Sequence, residues 1–173
     1  CSSDLALIQP PQKIKEENFQ ALLRFGGFPE PLFKRDNAFY QNWSALRLQQ
    51  LFNEDVRDLT RVQEVKQMEL LAAILSKQIG ALVNYSSLAQ KVRVSHETVR
   101  RWMETLNQLY YCFTIQPWKK NITRSLLKEP KVFLWDWSLV HDEGARGENF
   151  IASHLIKACH YWTDTGKGEF ELF

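Results

Sequence analysis

Apolar positions in the first half of the chain recur mostly at helical spacing. In residues 13–25, Phe19, Leu22 and Leu23 share one face, and Gly26 and Gly27 follow where a left-handed residue commonly ends a helix. Before it lies an irregular lead closed by Pro10 and Pro11, which a helix interior would not hold. Phe28, Pro29, Glu30, Pro31 and Leu32 read as a rigid apolar turn. From Asp36 a longer helix carries the stripe Leu48, Leu51, Phe52, Val56 and Leu59. A third helix over about 64–79 buries Met68, Leu71, Ala72, Leu75 and Ile79, with Gly80 as its C-terminal cap.

The most organised stretch is residues 85–115, YSSLAQKVRVSHETVRRWMETLNQLYYCFTI, which reads as a helix-turn-helix followed by a strand. Ser86 or Ser87 can cap a short helix over 88–92, residues 92–95 turn, and Ser95 can cap a second helix. In that second helix Val99, Trp102, Met103, Leu106 and Tyr110 form one apolar stripe. His96, Glu97, Arg100, Arg101 and Glu104 are left on the open face. In helix-turn-helix proteins the N-terminal half of this helix reaches base edges in the major groove. The same residues also fit an ordinary solvated face, with each glutamate a helical neighbour of an arginine.

Beyond this motif the period changes. Tyr111, Phe113 and Ile115 alternate with Cys112 and Thr114, as in a strand with one face on the core, and Pro117 ends it. Residues 131–137, KVFLWDW, read as a second strand with Val132, Leu134, Trp135 and Trp137 as its bulk. The connection between them is basic and polar, with Lys119, Lys120, Arg124 and Lys128, and it stands where a wing would lie or where a plain surface loop would do as well. A polar break over 141–147 precedes a helix opened by Glu148, with Phe150, Ile151, His154, Leu155 and Ala158 as its buried side. Residues 163–168 make a turn, and 169–173 alternate like a closing strand.

Composition adds bounds. With 173 residues, 45% of them hydrophobic, the chain can fill a core of one large or two small domains. The net charge of +2 makes no general basic field. Between Lys91 and Lys131, however, nine Lys or Arg stand against three Glu, a local +6 that leaves −4 for the remainder. Cys1, Cys112 and Cys159 cannot all pair within one chain and have no metal-ligand spacing, which favours a reducing, cytoplasmic setting. No apolar run is long enough for a membrane span, so no membrane partner is expected. The chain opens on Cys1 and stops within an alternating pattern, as an excised piece of a longer protein would.

Chemistry is sparse. None of the seven glycines stands in a phosphate-loop pattern, the four histidines are not at metal-site intervals, and no serine stands in a nucleophile elbow. This stretch therefore carries no catalytic residues, no metal site and no cofactor of its own.

Three short motifs carry a resemblance. Gly26-Gly27-Phe28-Pro29-Glu30-Pro31 resembles the GGFPEP signature that closes the ATPase module of a large prokaryotic AAA-type family. Residues 54–59, with Arg57 and Asp58, resemble its D-x-x-RDL helix, and Asp136 with Gly147-Glu148-Asn149 resembles a D … G-x-x-E-N segment in the domain that follows the ATPase. The resemblance implies a mainly α chain: a helical lid over residues 1–62, a winged helix-turn-helix over 63–137, and over 138–173 the start of a truncated α/β domain similar to the PD-(D/E)xK nucleases. It implies ATP and Mg for the full-length protein, an ATPase, and a missing ATPase domain of the same chain as the lid's partner. Glu148 matches the first acid of the nuclease-like pattern, or else is a helix-start carboxylate favoured by the dipole. Three functions follow as expectations. The first is a winged-helix module that binds duplex DNA through His96, Arg100, Arg101, Lys119, Lys120 and Arg124, or couples nucleotide state to a partner. The others are a protein-docking module without nucleic acid, and part of a metal-dependent nuclease whose site is incomplete here.

Overall fold

The computed structural model describes residues 12–56, 62–118 and 129–173. The protein is mainly helical: α1 (Glu16–Phe25), α2 (Pro29–Lys34), α3 (Asn37–Gln50), a π-helical segment (Leu51–Val56), α4 (Val62–Leu75), α5 (Tyr85–Val92), α6 (His96–Gln108), β1 (Cys112–Ile115), β2 (Lys131–Leu134), a 3-10 turn (Trp137–Leu139) and α7 (Glu143–Asp164).

The core lies where α4, α5 and α6 meet the hairpin. Met68, Leu71 and Leu75 of α4, Leu88 and Val92 of α5, and Val99, Trp102 and Leu106 of α6 are shut off from solvent. Each such side chain contributes roughly 1.5 to 3 kcal/mol of hydrophobic stabilisation. The strands pair antiparallel with Cys112 opposite Leu134 and Ile115 opposite Lys131. Leu82, between α4 and α5, forms an isolated antiparallel bridge to Lys131 on the other edge of β2. Tyr111 ties the hairpin to α4 by donating its hydroxyl to the Ala72 carbonyl at 3.0 Å.

Several boundaries differ from those expected. The proline-rich stretch after Gly27 is helix α2 rather than a turn, because Pro29 and Pro31 both fall in its first turn, where backbone N–H groups have no intrahelical partner to lose. The long helix from Asp36 stops as an α-helix at Gln50, and Leu51 and Phe52 sit in the π-helical segment. Leu59, expected on the same stripe, lies outside the described residues. Helix α4 ends at Leu75, so Ile79 is buried from the following turn and Gly80 is not its cap. Asn84, not Ser86 or Ser87, caps α5, accepting from the Ser87 N–H at 2.7 Å.

Tyr110 leaves the α6 stripe. It adopts a left-handed φ of 55° just past the helix end, with the Tyr110 N–H on Asn107 O and the Tyr111 N–H on Leu106 O. That reversal turns its ring into solvent. Strand β2 ends at Leu134, and Trp137 is buried from the 3-10 turn instead. Helix α7 begins at Glu143, five residues before the expected start, because the Asp142 carboxylate caps the Ala145 N–H at 2.8 Å and carries the helix through Gly144 and Gly147. Its fully buried face is Asn149, Ala152 and Ser153, whereas Ile151, His154 and Leu155 are exposed. No strand forms over 169–173.

Helix α3 has no buried residue. Edge contacts hold it: the Asp36 cap on the Phe39 N–H, the Phe25–Tyr40 ring pair, and the Arg47 guanidinium 4.0 Å from the Phe28 ring. A cleft of about 1430 Å³ separates α1 and α3 from α4, floored by Phe25, Leu48, Phe52, Ala72 and Tyr111.

Candidate functional site

The expected groove-facing surface is built on a tight turn between α5 and α6. Arg93 takes a left-handed φ of 57° at the end of α5, and Val94 N–H returns to Ala89 O, which reverses the chain within three residues. Ser95 then caps α6 as expected, accepting from the Thr98 N–H at 3.1 Å. Val99, Trp102, Met103 and Leu106 face the core, which leaves His96, Glu97, Arg100, Arg101 and Glu104 exposed on the opposite side.

The two arginines meet different environments. The Arg100 guanidinium lies 4.8 Å from the Tyr85 ring centre, and the His96 ring stands edge-on to the same ring at 5.6 Å. Burial raises the Tyr85 hydroxyl above its ordinary value even though Arg100 pulls it down. Arg101 instead pairs with Glu64 of α4, Nη2 to Oε2 at 3.1 Å. The same carboxylate oxygen accepts from the indole N–H of Trp102 at 3.2 Å. Lys119, Lys120 and Arg124 lie outside the described residues.

Glu148 sits in the second turn of α7 rather than at its start, so the helix-start reading of its charge does not hold. Its carboxylate pairs with Lys131 Nζ at 3.1 Å and covers Gly80, where an added Cβ would stand 2.5 Å from Oε2. Among the described residues no three His, Cys, Asp or Glu side chains converge as metal ligands.

The Gly26-Gly27-Phe28-Pro29 stretch forms a junction. Gly26 has φ 81° and ψ −174°, and an added Cβ would meet Asp136 Oδ1 at 2.7 Å and Ser138 Oγ at 2.8 Å. Gly27 faces the Trp137 ring at 3.0 Å by the same measure, and the Trp137 indole donates to Leu22 O at 3.0 Å. Pro29 opens α2, and the Trp43 indole is hydrogen-bonded to Glu30. Asp136 accepts from both the backbone and the hydroxyl of Ser138. Burial holds its carboxyl above the usual range, against the lowering effect of those bonds and of Arg47. Arg57 and Asp58 lie outside the described residues.

Sequence reasoning missed the roles of four residues. Asp136 was legible as part of a motif and Trp137 as bulk of a strand, but neither as the surface that receives Gly26 and Gly27. Asn149, fully buried, holds both backbone groups of Leu134, accepting from its N–H at 2.8 Å and donating to its carbonyl at 2.6 Å. Glu64 had no local signal, because its partners are 37 and 38 residues away.

The family described as Domain of unknown function (DUF8612) matches residues 16–146. Two similar relatives are the uncharacterized protein Mb2031c of Mycobacterium bovis and the uncharacterized protein Rv2008c of Mycobacterium tuberculosis. Each is 23% identical over 168 residues, an alignment that covers 86% of this chain and 38% of the relative. The chain thus spans well under half the length of these relatives. No solved structure matches.

Proposed function

From the premise that this chain belongs to the DUF8612 family, we propose that it is the lid and winged-helix portion of an AAA-type ATPase, a non-catalytic module that couples nucleotide state to a ligand. The observation that supports this most is the order of parts. Helix α4, the Leu82 bridge, α5, a tight turn, α6 and the β1–β2 hairpin follow one another, with the Leu82 bridge and β1 on opposite edges of β2. We read that order as a winged helix, with α6 as the groove-reading helix. The Gly26 and Gly27 junction supplies the coupling. A Cβ added at Gly26 would stand 2.7 Å from Asp136 Oδ1 and one at Gly27 3.0 Å from the Trp137 ring, and through this close packing displacement of the lid would carry the residues after β2 with it. ATP and Mg would act on the ATPase domain that the resemblance implies for the full-length protein.

The ligand proposed is duplex DNA, met by His96 and Arg100 at the start of α6. Binding should be weak, roughly micromolar at low salt, because α6 turns few cations outward and Glu97 and Glu104 stand exposed beside them. Fluorescence anisotropy with a labelled duplex across a salt series tests it. Affinity should fall as salt rises, and Arg100→Ala should weaken binding and flatten the slope by about one unit. Equal binding by wild type and Arg100→Ala at about 50 mM salt, where phosphate contacts are still weakly screened, would remove the DNA reading.

A second reading, protein docking, draws on the 3.1 Å pairing of Arg101 with Glu64, which lowers the positive charge of the face. It takes over if no DNA is bound. The nuclease-like reading of residues 138–173 has less support, since Glu148 is engaged by Lys131.

A further inference from the structure

The adjacent arginines of α6 are not equivalent. Arg100 lies over an aromatic ring, a contact that leaves its charge available to an anion, whereas Arg101 is held by a carboxylate. What fixes that carboxylate is the core rather than the arginine. The Trp102 ring is fully buried, its indole N–H is a donor with no acceptor capacity, and Glu64 Oε2 receives it. Glu64 therefore stands at this place for the sake of Trp102, and Arg101 pairs with it as a consequence. The Arg101 side chain remains 62% exposed and the Glu64 side chain 29% exposed, so the pair is open to exchange with an external anion.

Resting on the DNA reading above, we infer that Glu64 is an internal competitor of the phosphate backbone for Arg101, a positioning residue that sets the affinity of the α6 face. A duplex that recruits Arg101 must take it from Glu64, which stays on the Trp102 indole. The gain from the new phosphate contact is then offset by the ion pair given up. Arg101 accordingly adds little to binding in the wild type, although it is as exposed as Arg100 in sequence terms.

The test uses anisotropy with one labelled duplex and five proteins: wild type, Glu64→Gln, Glu64→Gln with Arg101→Ala, Arg101→Ala alone, and Glu69→Gln. Glutamine keeps an acceptor for the Trp102 indole while removing the charge, and Glu69 lies on the same helix but faces the cleft. Glu64→Gln should bind roughly two- to fivefold tighter, the range set by an exposed ion pair, with a salt slope steeper by about one unit. The gain should vanish when Arg101→Ala is added. Glu69→Gln and Arg101→Ala alone should each stay within about twofold of wild type, as expected where no net contact changes.

Unchanged affinity in Glu64→Gln, a gain that survives Arg101→Ala, or an equal gain in Glu69→Gln each overturns the inference. Should Glu64→Gln not fold, Arg101→Ala decides alone: a loss as large as that of Arg100→Ala overturns it. If no protein binds, the DNA reading falls and the inference with it. If wild type binds through Arg100 while Glu64→Gln gains nothing, only the inference falls.

Discussion

Replacing Gly26 by alanine probes the junction through two separate penalties. Its φ of 81° with ψ of −174° belongs to a region that essentially only glycine populates, so any side chain there costs about 1 to 3 kcal/mol of backbone strain. The methyl group would also stand 2.7 Å from Asp136 Oδ1 and 2.8 Å from Ser138 Oγ, and neither atom can retreat without disturbing the bonds between them. Forcing extra volume into such a site costs about 1 to 3 kcal/mol more. The expected loss is therefore roughly 2 to 6 kcal/mol, or about 5 to 20 °C in Tm for a chain of this size. Urea and thermal unfolding measure it directly. Two other glycines calibrate the result. Gly27→Ala, with its Cβ 3.0 Å from the Trp137 ring but no left-handed φ, should cost less than Gly26→Ala. Gly147→Ala lies within α7 with nothing inside 4 Å, and should stabilise by about 0.5 to 1 kcal/mol through lower chain entropy. A Gly26→Ala protein within about 0.5 kcal/mol of wild type, the scatter of surface substitutions, would refute the packing argument.

Two further outcomes follow from buried groups. Trp102→Ala should cost roughly 3 to 5 kcal/mol in chemical denaturation, since the ring is fully enclosed and Glu64 loses the bond that fixes it; a loss under about 1 kcal/mol would contradict that burial. Asp136 gives a pH signature. Its folded pKa is raised, chiefly by burial, so its favourable contribution is complete below the ordinary carboxylate value and is lost as pH rises through the raised one. Relative to Asp136→Asn, which keeps an acceptor for Ser138, wild type should gain stability as pH falls across that window, and a flat difference would show that Asp136 is not desolvated.

The parts that were legible share a cause. The α6 stripe, the Ser95 cap and the turn before it depend on residues within a few positions of one another, where helical period and capping chemistry act directly. The missed boundaries came from residues whose usual meaning was reversed by position. Prolines in the first turn of α2 open a helix instead of ending one, and glycines inside α7 are carried by the Asp142 cap and by Arg146, which bonds the Val140 carbonyl at 2.7 Å. Tyr110 could not be placed from the stripe, because whether a helix closes one residue sooner depends on which carbonyls the departing chain can reach.

Candidate contacts were harder to read than elements for a different reason. Charge is visible in a sequence, but its availability depends on partners far along the chain, as Glu64 and Arg101 illustrate. The same holds for the glycine pair that follows α1. Gly26 and Gly27 first read as a helix terminator, and Gly26 does cap α1, yet Gly26 also has to stay without a side chain because of Asp136 and Ser138, about 110 residues later, and Gly27 packs close to the Trp137 ring. A signature that meets a local and a distant requirement at once tolerates less change than either alone would impose. That double constraint falls on the backbone itself, where a single methyl group added at Gly26 is expected to disturb stability before it disturbs the exposed face of α6.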